Sequence, residues 1–226
     1  MRNCFVIAGA ALTLLAVHVQ AQTGEPQGPQ PSEPVPEPPP VVEAAEEKWS
    51  FSASLTLYVV PDDQEYLQPT FTADHDWLHL EARYNYEDLD TASIWAGYNL
   101  SGGKEFTWEI TPMIGGVFGE TNGMAPGYEL TLNWWKLEFY SEGEYVFDFD
   151  ESSDSYFYNW SQLTISPVDW FWFGLAAQRT RLYEGDRDIQ RGLIVGFTFE
   201  NVELSASALN LDDSEPIYQF SVQVSF

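Results

Sequence analysis

Along most of the chain apolar and polar residues alternate one for one, the period of a strand with one apolar face. The clearest run is Trp135, Leu137, Phe139, Ser141, Gly143, Tyr145, Phe147 and Phe149, interleaved with Lys136, Glu138, Tyr140, Glu142, Glu144, Val146 and Asp148. Read as one strand it far exceeds the roughly five or six residues usual in soluble sheets. The same rhythm runs through residues 49–59, 78–86, 92–100, 193–199, 202–208 and 218–226, and begins again at Phe106 and at Tyr128. Weaker runs at 66–73, 156–165 and 170–183 bring the expected count to twelve strands. No stretch carries a convincing helical period. Pro69 and Pro112 fall inside two of the strands, where a missing N–H demands a bulge or a recount. Trp170 to Phe173 is apolar on both faces, so a ten-stranded count is the alternative.

The links between strands sort by parity. The odd-numbered ones read PDDQE, YEDLD, FGETNGMAPG, DESSD, YEGDRD and LDDSEP, all acidic. The even-numbered ones read DHD, SGGK, NW, SPVD and EN, which are tight turns. A soluble sandwich gives no cause for such an asymmetry, whereas in a membrane barrel one set of links faces outside and the other the periplasm. Aromatic residues also gather at strand ends, as at Trp49, Tyr84, Tyr86, Phe106, Trp108, Tyr128, Trp135, Phe147, Phe149, Phe197, Phe199 and Tyr218, where two membrane interfaces would select them. The apolar faces are therefore expected to meet lipid. The fold class expected is all-β: a transmembrane antiparallel up-and-down barrel with a polar interior.

Segments at the start stand apart from this pattern. Residues 1–21 carry one positive charge at Arg2, an apolar stretch from Cys4 to Val17 and small residues at Val19 and Ala21, the layout of a secretory signal peptide. Residues 22–47 hold eight of the 14 prolines and six glutamates, too little apolar surface to fold, and read as an extended spacer. Residues 48–226 form the barrel. Cys4 is the single cysteine, so beyond residue 21 the chain has no disulfide and no sulfur ligand for a metal. With 35 acidic against nine basic residues and a formal net charge of −26, the chain's charge argues against nucleic acid as a partner.

The closing run PIYQFSVQVSF alternates aromatics and valines and stops at Phe226. With the leader and the strand rhythm it resembles the C-terminal signature of bacterial outer-membrane β-barrels. The resemblance implies that Tyr218, Phe220 and Phe226 form the signal read by the assembly machinery, and it implies an outer-membrane location. The lipid and lipopolysaccharide of that membrane are then the expected partners.

With apolar faces outward, His79, Glu81, Arg83, Glu109, Glu129, Lys136, Glu138 and Glu203 turn into the lumen. A two-residue turn at Asn133-Trp134 would set Thr131 opposite Lys136 and Glu129 opposite Glu138. These carboxylates would favour cations in a water-filled path; alternatively they interlock with Arg83 and Lys136 as a plug. Twelve strands lie between barrels filled by their own side chains and those with open channels. On the outside, folding residues 170–199 about 184–188 would put Arg181 opposite Arg191 with Arg179 diagonal, a cationic patch suited to lipid phosphates. Pairing with Glu184, Asp186 and Asp188 is the alternative. The acidic links show no calcium-loop spacing, and no metal site or other cofactor is expected. His79 beside Glu81 is the sole pair fit for acid–base chemistry, but no serine is tied to it by a motif, so no catalytic residue is assigned and an enzyme is not expected.

Overall fold

The computed structural model describes residues 49–60, 65–150, 155–182, 187–211 and 216–226, so the expected leader and spacer lie outside the described residues. Thirteen strands are described: β1 Ser50–Val59, β2 Tyr66–His75, β3 Leu78–Tyr84, β4 Thr91–Tyr98, β5 Leu100–Gly103, β6 Phe106–Gly119, β7 Gly123–Trp134, β8 Leu137–Asp148, β9 Tyr156–Val168, β10 Phe171–Leu182, β11 Arg187–Phe199, β12 Val202–Leu209 and β13 Ile217–Ser225. Apart from β4 and β5, which both pair with β6, each strand pairs antiparallel with its neighbours in sequence, and β13 pairs with β1. The ring therefore has no free edge. The short β5 is a continuation of β4 past Asn99: β6 pairs with β5 through Ile110 and with β4 from Met113. The barrel thus has twelve strands around its circumference, as the strand rhythm implies.

Prolines sit at the interruptions. Pro112 lies between the β5–β6 and β4–β6 ladders, and Pro69 lies one residue outside the β2–β3 ladder, which starts at Thr70. Pro126 falls in the gap of the β7–β8 ladder between Met124 and Gly127. Pro167 falls where the β9–β10 register shifts beside Phe171. A residue without an N–H is tolerated in a closed sheet only at such places, which accounts for Pro69 and Pro112 without removing a strand.

Burial confirms which face is apolar outward. Ile94, Ile114, Leu175 and Leu193 are more than half exposed on the outer wall, while Trp95, Val117 and Val146 are sealed inside. At the rim where β1 starts and β13 ends, an aromatic belt forms from Trp49, Trp77, Tyr98, Phe106, Trp134, Trp135, Trp170 and Phe199. The backbones of Phe51 and Phe226 exchange two 2.9 Å hydrogen bonds there, and their rings stack. Described residues of the opposite rim include the acids Asp88, Asp90, Glu120 and Asp150 and a sparser aromatic belt at Tyr84, Phe118, Phe147 and Phe149.

Two local expectations are corrected. The turn between β7 and β8 is Trp135-Lys136, closed by the Trp134–Leu137 pair, so no single strand runs from Trp135 to Phe149. Trp135 takes a φ of 57°, and the first residues of two other turns on this rim, Asp76 and Glu200, do the same. The pairs that result are Glu129 with Glu142, Thr131 with Tyr140, and Asn133 with Glu138. The link between β6 and β7 is also shorter than FGETNGMAPG suggests, because β6 continues to Gly119 and β7 starts at Gly123.

Candidate functional site in the barrel lumen

The period of two that turns apolar residues to the outside delivers polar residues to the lumen, where they line a cavity of about 480 Å³. It reaches from Glu138, Glu203 and Gln223 near the aromatic rim to Tyr58 and Gln219 near the acidic rim. Its two sides differ in chemistry. Strands β1, β2, β12 and β13 present short hydroxyls and amides: Ser52, Ser54, Thr56, Thr70, Thr72, Ser205, Ser221 and Gln223. Cross-strand bonds tie these groups together, Thr56 donating to Ser221 at 3.0 Å and Ser207 to Gln219 at 3.0 Å.

Facing them is an acidic wall. Seven carboxylates line the cavity, from Asp74, Glu81, Glu109, Glu129, Glu138, Glu142 and Glu203, and among the described residues no lysine or arginine does. Glu142 accepts hydrogen bonds from Tyr140 at 2.8 Å and from Tyr86. Glu129, directly across from it in the ladder, has no hydrogen bond or ion pair among the described residues. His79 bonds Asp74 through Nδ1 at 2.8 Å and Glu81 through Nε2 at 3.3 Å. Asn99, at the break between β4 and β5, donates to the same Asp74 oxygen at 2.9 Å and accepts from Thr111 at 2.7 Å.

Arg83 lies behind this wall. Its Nε donates to Glu81 at 2.6 Å, one terminal nitrogen donates to Glu144 at 3.0 Å, and Glu87 stands 3.8 Å away. The guanidinium carbon also lies 4.1 Å from the ring centre of Tyr86 and 4.7 Å from that of Trp95. Tyr86 and Glu87 belong to the link between β3 and β4, which folds inward. Glu87 accepts from Ser93 at 2.5 Å and from the Trp95 indole at 3.1 Å, and its carbonyl accepts from Tyr156. Trp95 sits flat over Gly115, where an added Cβ would stand 2.4 Å from the ring. Around it Met113, Val117, Ala125, Val146 and Tyr156 pack as an apolar cluster, and Trp160, Ala176, Ile194 and Leu209 form a second.

Of the residues expected in the lumen, His79, Glu81, Glu109, Glu129, Glu138 and Glu203 line the cavity and Arg83 is buried beside it. Lys136 is not in the lumen; as a turn residue it donates to the Pro167 carbonyl at the aromatic rim. Pattern reading did not single out Asp74, placed in a turn, or Glu87, placed in an outer link; Glu142 and Glu144 carried the right parity but no motif.

The arginine patch is also redrawn. Arg191 pairs with Ala177 and Arg181 with Arg187, so Arg181 and Arg191 are not opposite each other. Arg179 stacks over Phe157, 5.4 Å from the ring centre. Its ladder partner Asn159 belongs to a hydrogen-bonded group with Tyr128, Ser141 and Ser161 on the outer wall.

A closed antiparallel barrel with an apolar outer wall between aromatic rims and a polar lumen has the fold of a transmembrane β-barrel. Two solved structures share the architecture. The KdgM porin superposes with a TM-score of 0.57 at 13% identity, covering 77% of this chain and 99% of that one. The NanC porin superposes with a TM-score of 0.51 at 11% identity, covering 77% and 98%. A second KdgM structure is a complex with disordered oligogalacturonate, matched at 12% identity with a TM-score of 0.57. No family model matches the sequence, and no curated protein matches it either.

Proposed function

We propose that the chain is an outer-membrane porin that passes small solutes and prefers cations. The observation that carries this reading is the cavity lined by seven carboxylates and, among the described residues, by no lysine or arginine. In a low-dielectric barrel such a wall raises the local concentration of cations and repels anions. The hydroxyl side offers neutral hydrogen-bonding groups along which a hydrated solute slides without a deep trap. The likeness to the KdgM and NanC porins supports passage of small solutes in general. It does not carry over a ligand, because oligogalacturonate bears carboxylates that this wall would repel.

A plugged barrel is the second reading, favoured by the Arg83 network and the two apolar clusters that occupy the lumen beside the cavity. In that case the barrel is an anchor, and Arg179 and Arg191 on its outer wall would hold lipopolysaccharide phosphates. Single-channel conductance in a planar bilayer, with reversal potentials in a salt gradient, separates the two. Steady cation-selective current that loses selectivity in Glu129→Gln and Glu138→Gln supports the pore. A folded barrel without current favours the plug.

A further inference from the structure

We infer that His79, Glu81 and Glu129 form a binding site for a divalent first-row transition metal on the lumen wall. One ligand atom from each, an imidazole nitrogen and two carboxylate oxygens, lies within 4.8 Å of the others. Donors held about 2.0–2.2 Å from a single ion stand roughly 3–4 Å apart, so a small rotation of Glu129 completes the set. Glu129 is free to make it, having no hydrogen bond or ion pair among the described residues.

The surroundings match what a metal-binding histidine requires. Nδ1 of His79 faces Asp74 at 2.8 Å, so with its proton on Nδ1 the ring presents the Nε2 lone pair to Glu81. Asp74 is itself fixed by the Asn99 amide at 2.9 Å. Metal binding requires the neutral ring, and once Nε2 gives up its proton the 3.3 Å contact with a Glu81 oxygen becomes a pair of donors for one ion. Glu81 is also held by Arg83, but a carboxylate has about four lone-pair sites and Arg83 uses two of them.

A second observation, outside the three ligands, shows the same shortage of positive charge. Glu87 Oε2 and Glu144 Oε1 are buried without a hydrogen-bond partner, although both carboxylates adjoin Arg83. One guanidinium thus serves Glu81, Glu87 and Glu144, and Glu129 has no ion pair of its own among the described residues. One nitrogen with carboxylate oxygens suits zinc, manganese, iron or cobalt rather than calcium or magnesium, which take oxygen ligands alone. The cavity gives a hydrated ion access.

The test is Co²⁺ and Zn²⁺ titration of the full chain folded in detergent, followed by Co²⁺ absorption and by Zn²⁺ competition with a chromophoric chelator. One saturable site is expected. Glu129→Gln and His79→Gln each weaken it by at least about tenfold, and Asp74→Asn by about 10–100-fold, as orienting partners of ligands do. Glu109→Gln removes the same charge from the same cavity outside the cluster and leaves affinity within about twofold. Equal weakening by Glu109→Gln would mean a diffuse acidic wall and overturn the site, as would the absence of saturable binding. Glu129→Gln gives up no hydrogen bond and keeps the test decisive if His79→Gln does not fold. Because binding is read in detergent without current, a barrel that conducts nothing leaves this site standing, and a pore that binds no metal refutes the site alone.

Discussion

At Arg83 three carboxylates share one guanidinium inside a barrel wall, and the balance there is set by burial. Removing one partner of such a buried network leaves uncompensated charge at about 3–5 kcal/mol. Arg83→Met is therefore expected to lower the unfolding free energy, read from denaturant unfolding of the barrel in detergent, by that order. Adding Glu144→Gln should return part of the loss, because it removes one of the stranded charges. If Arg83→Met is as stable as the parent, the network is not what organises this wall. Gly115 is a second sensitive point, since a methyl group there meets the Trp95 ring at 2.4 Å. Gly115→Ala should cost about 1–3 kcal/mol in the same unfolding assay, the ordinary range for overpacking. Neither contact was legible in the sequence. Alternation placed Arg83, Trp95 and Glu144 on the inner face, yet which inner residues meet depends on register, and Glu87 arrives from a link whose inward fold has no local signature.

Strand identity was legible because the outer wall is mainly apolar, so period two persists over whole strands and is broken only locally, as at Ser141, Asn159 and Ser161. Turn position was not, and the β7–β8 hairpin shows why. Asn133 is the residue expected to adopt a left-handed turn, but the chain turns two residues later, with Trp135 at a φ of 57°. The interface belt wants tryptophan at that height, and the gain overrides the local backbone preference. That two-residue shift moved Lys136 out of the lumen and exchanged the partner of Glu129 from Glu138 to Glu142. The same logic explains the prolines, which mark ladder gaps rather than strand ends. Pro112→Ala is thus expected to change stability by no more than about 1 kcal/mol. Leu132→Pro, placed where Leu132 pairs with both Trp108 and Phe139, should abolish the heat-modifiable folded band on electrophoresis. Equal tolerance of both would mean that Pro112 does not mark a special place in the sheet.

For the whole molecule the net charge of −26 and the seven lumen carboxylates act at different ranges. Described acids of that rim such as Asp88, Asp90, Glu120 and Asp150 are exposed, and salt screens them over a Debye length of about 10 Å at 0.1 M and about 3 Å at 1 M. Lumen carboxylates lie within a few ångströms of any permeating ion and face low-dielectric walls, so salt weakens them less. The proposed pore should then show two components of cation selectivity. In salt gradients around 0.1 M both rim and lumen contribute; around 1 M only the lumen part survives. Neutralising Glu129 and Glu138 together should bring the reversal potential towards zero at 1 M and leave a residual cation preference at 0.1 M. Replacing the acids of the rim links should do the opposite, reducing selectivity at low salt with little effect at high salt. Should selectivity vanish at 1 M in the parent protein, the acids of the lumen are not what the permeating ion meets, and the rim alone would set the preference.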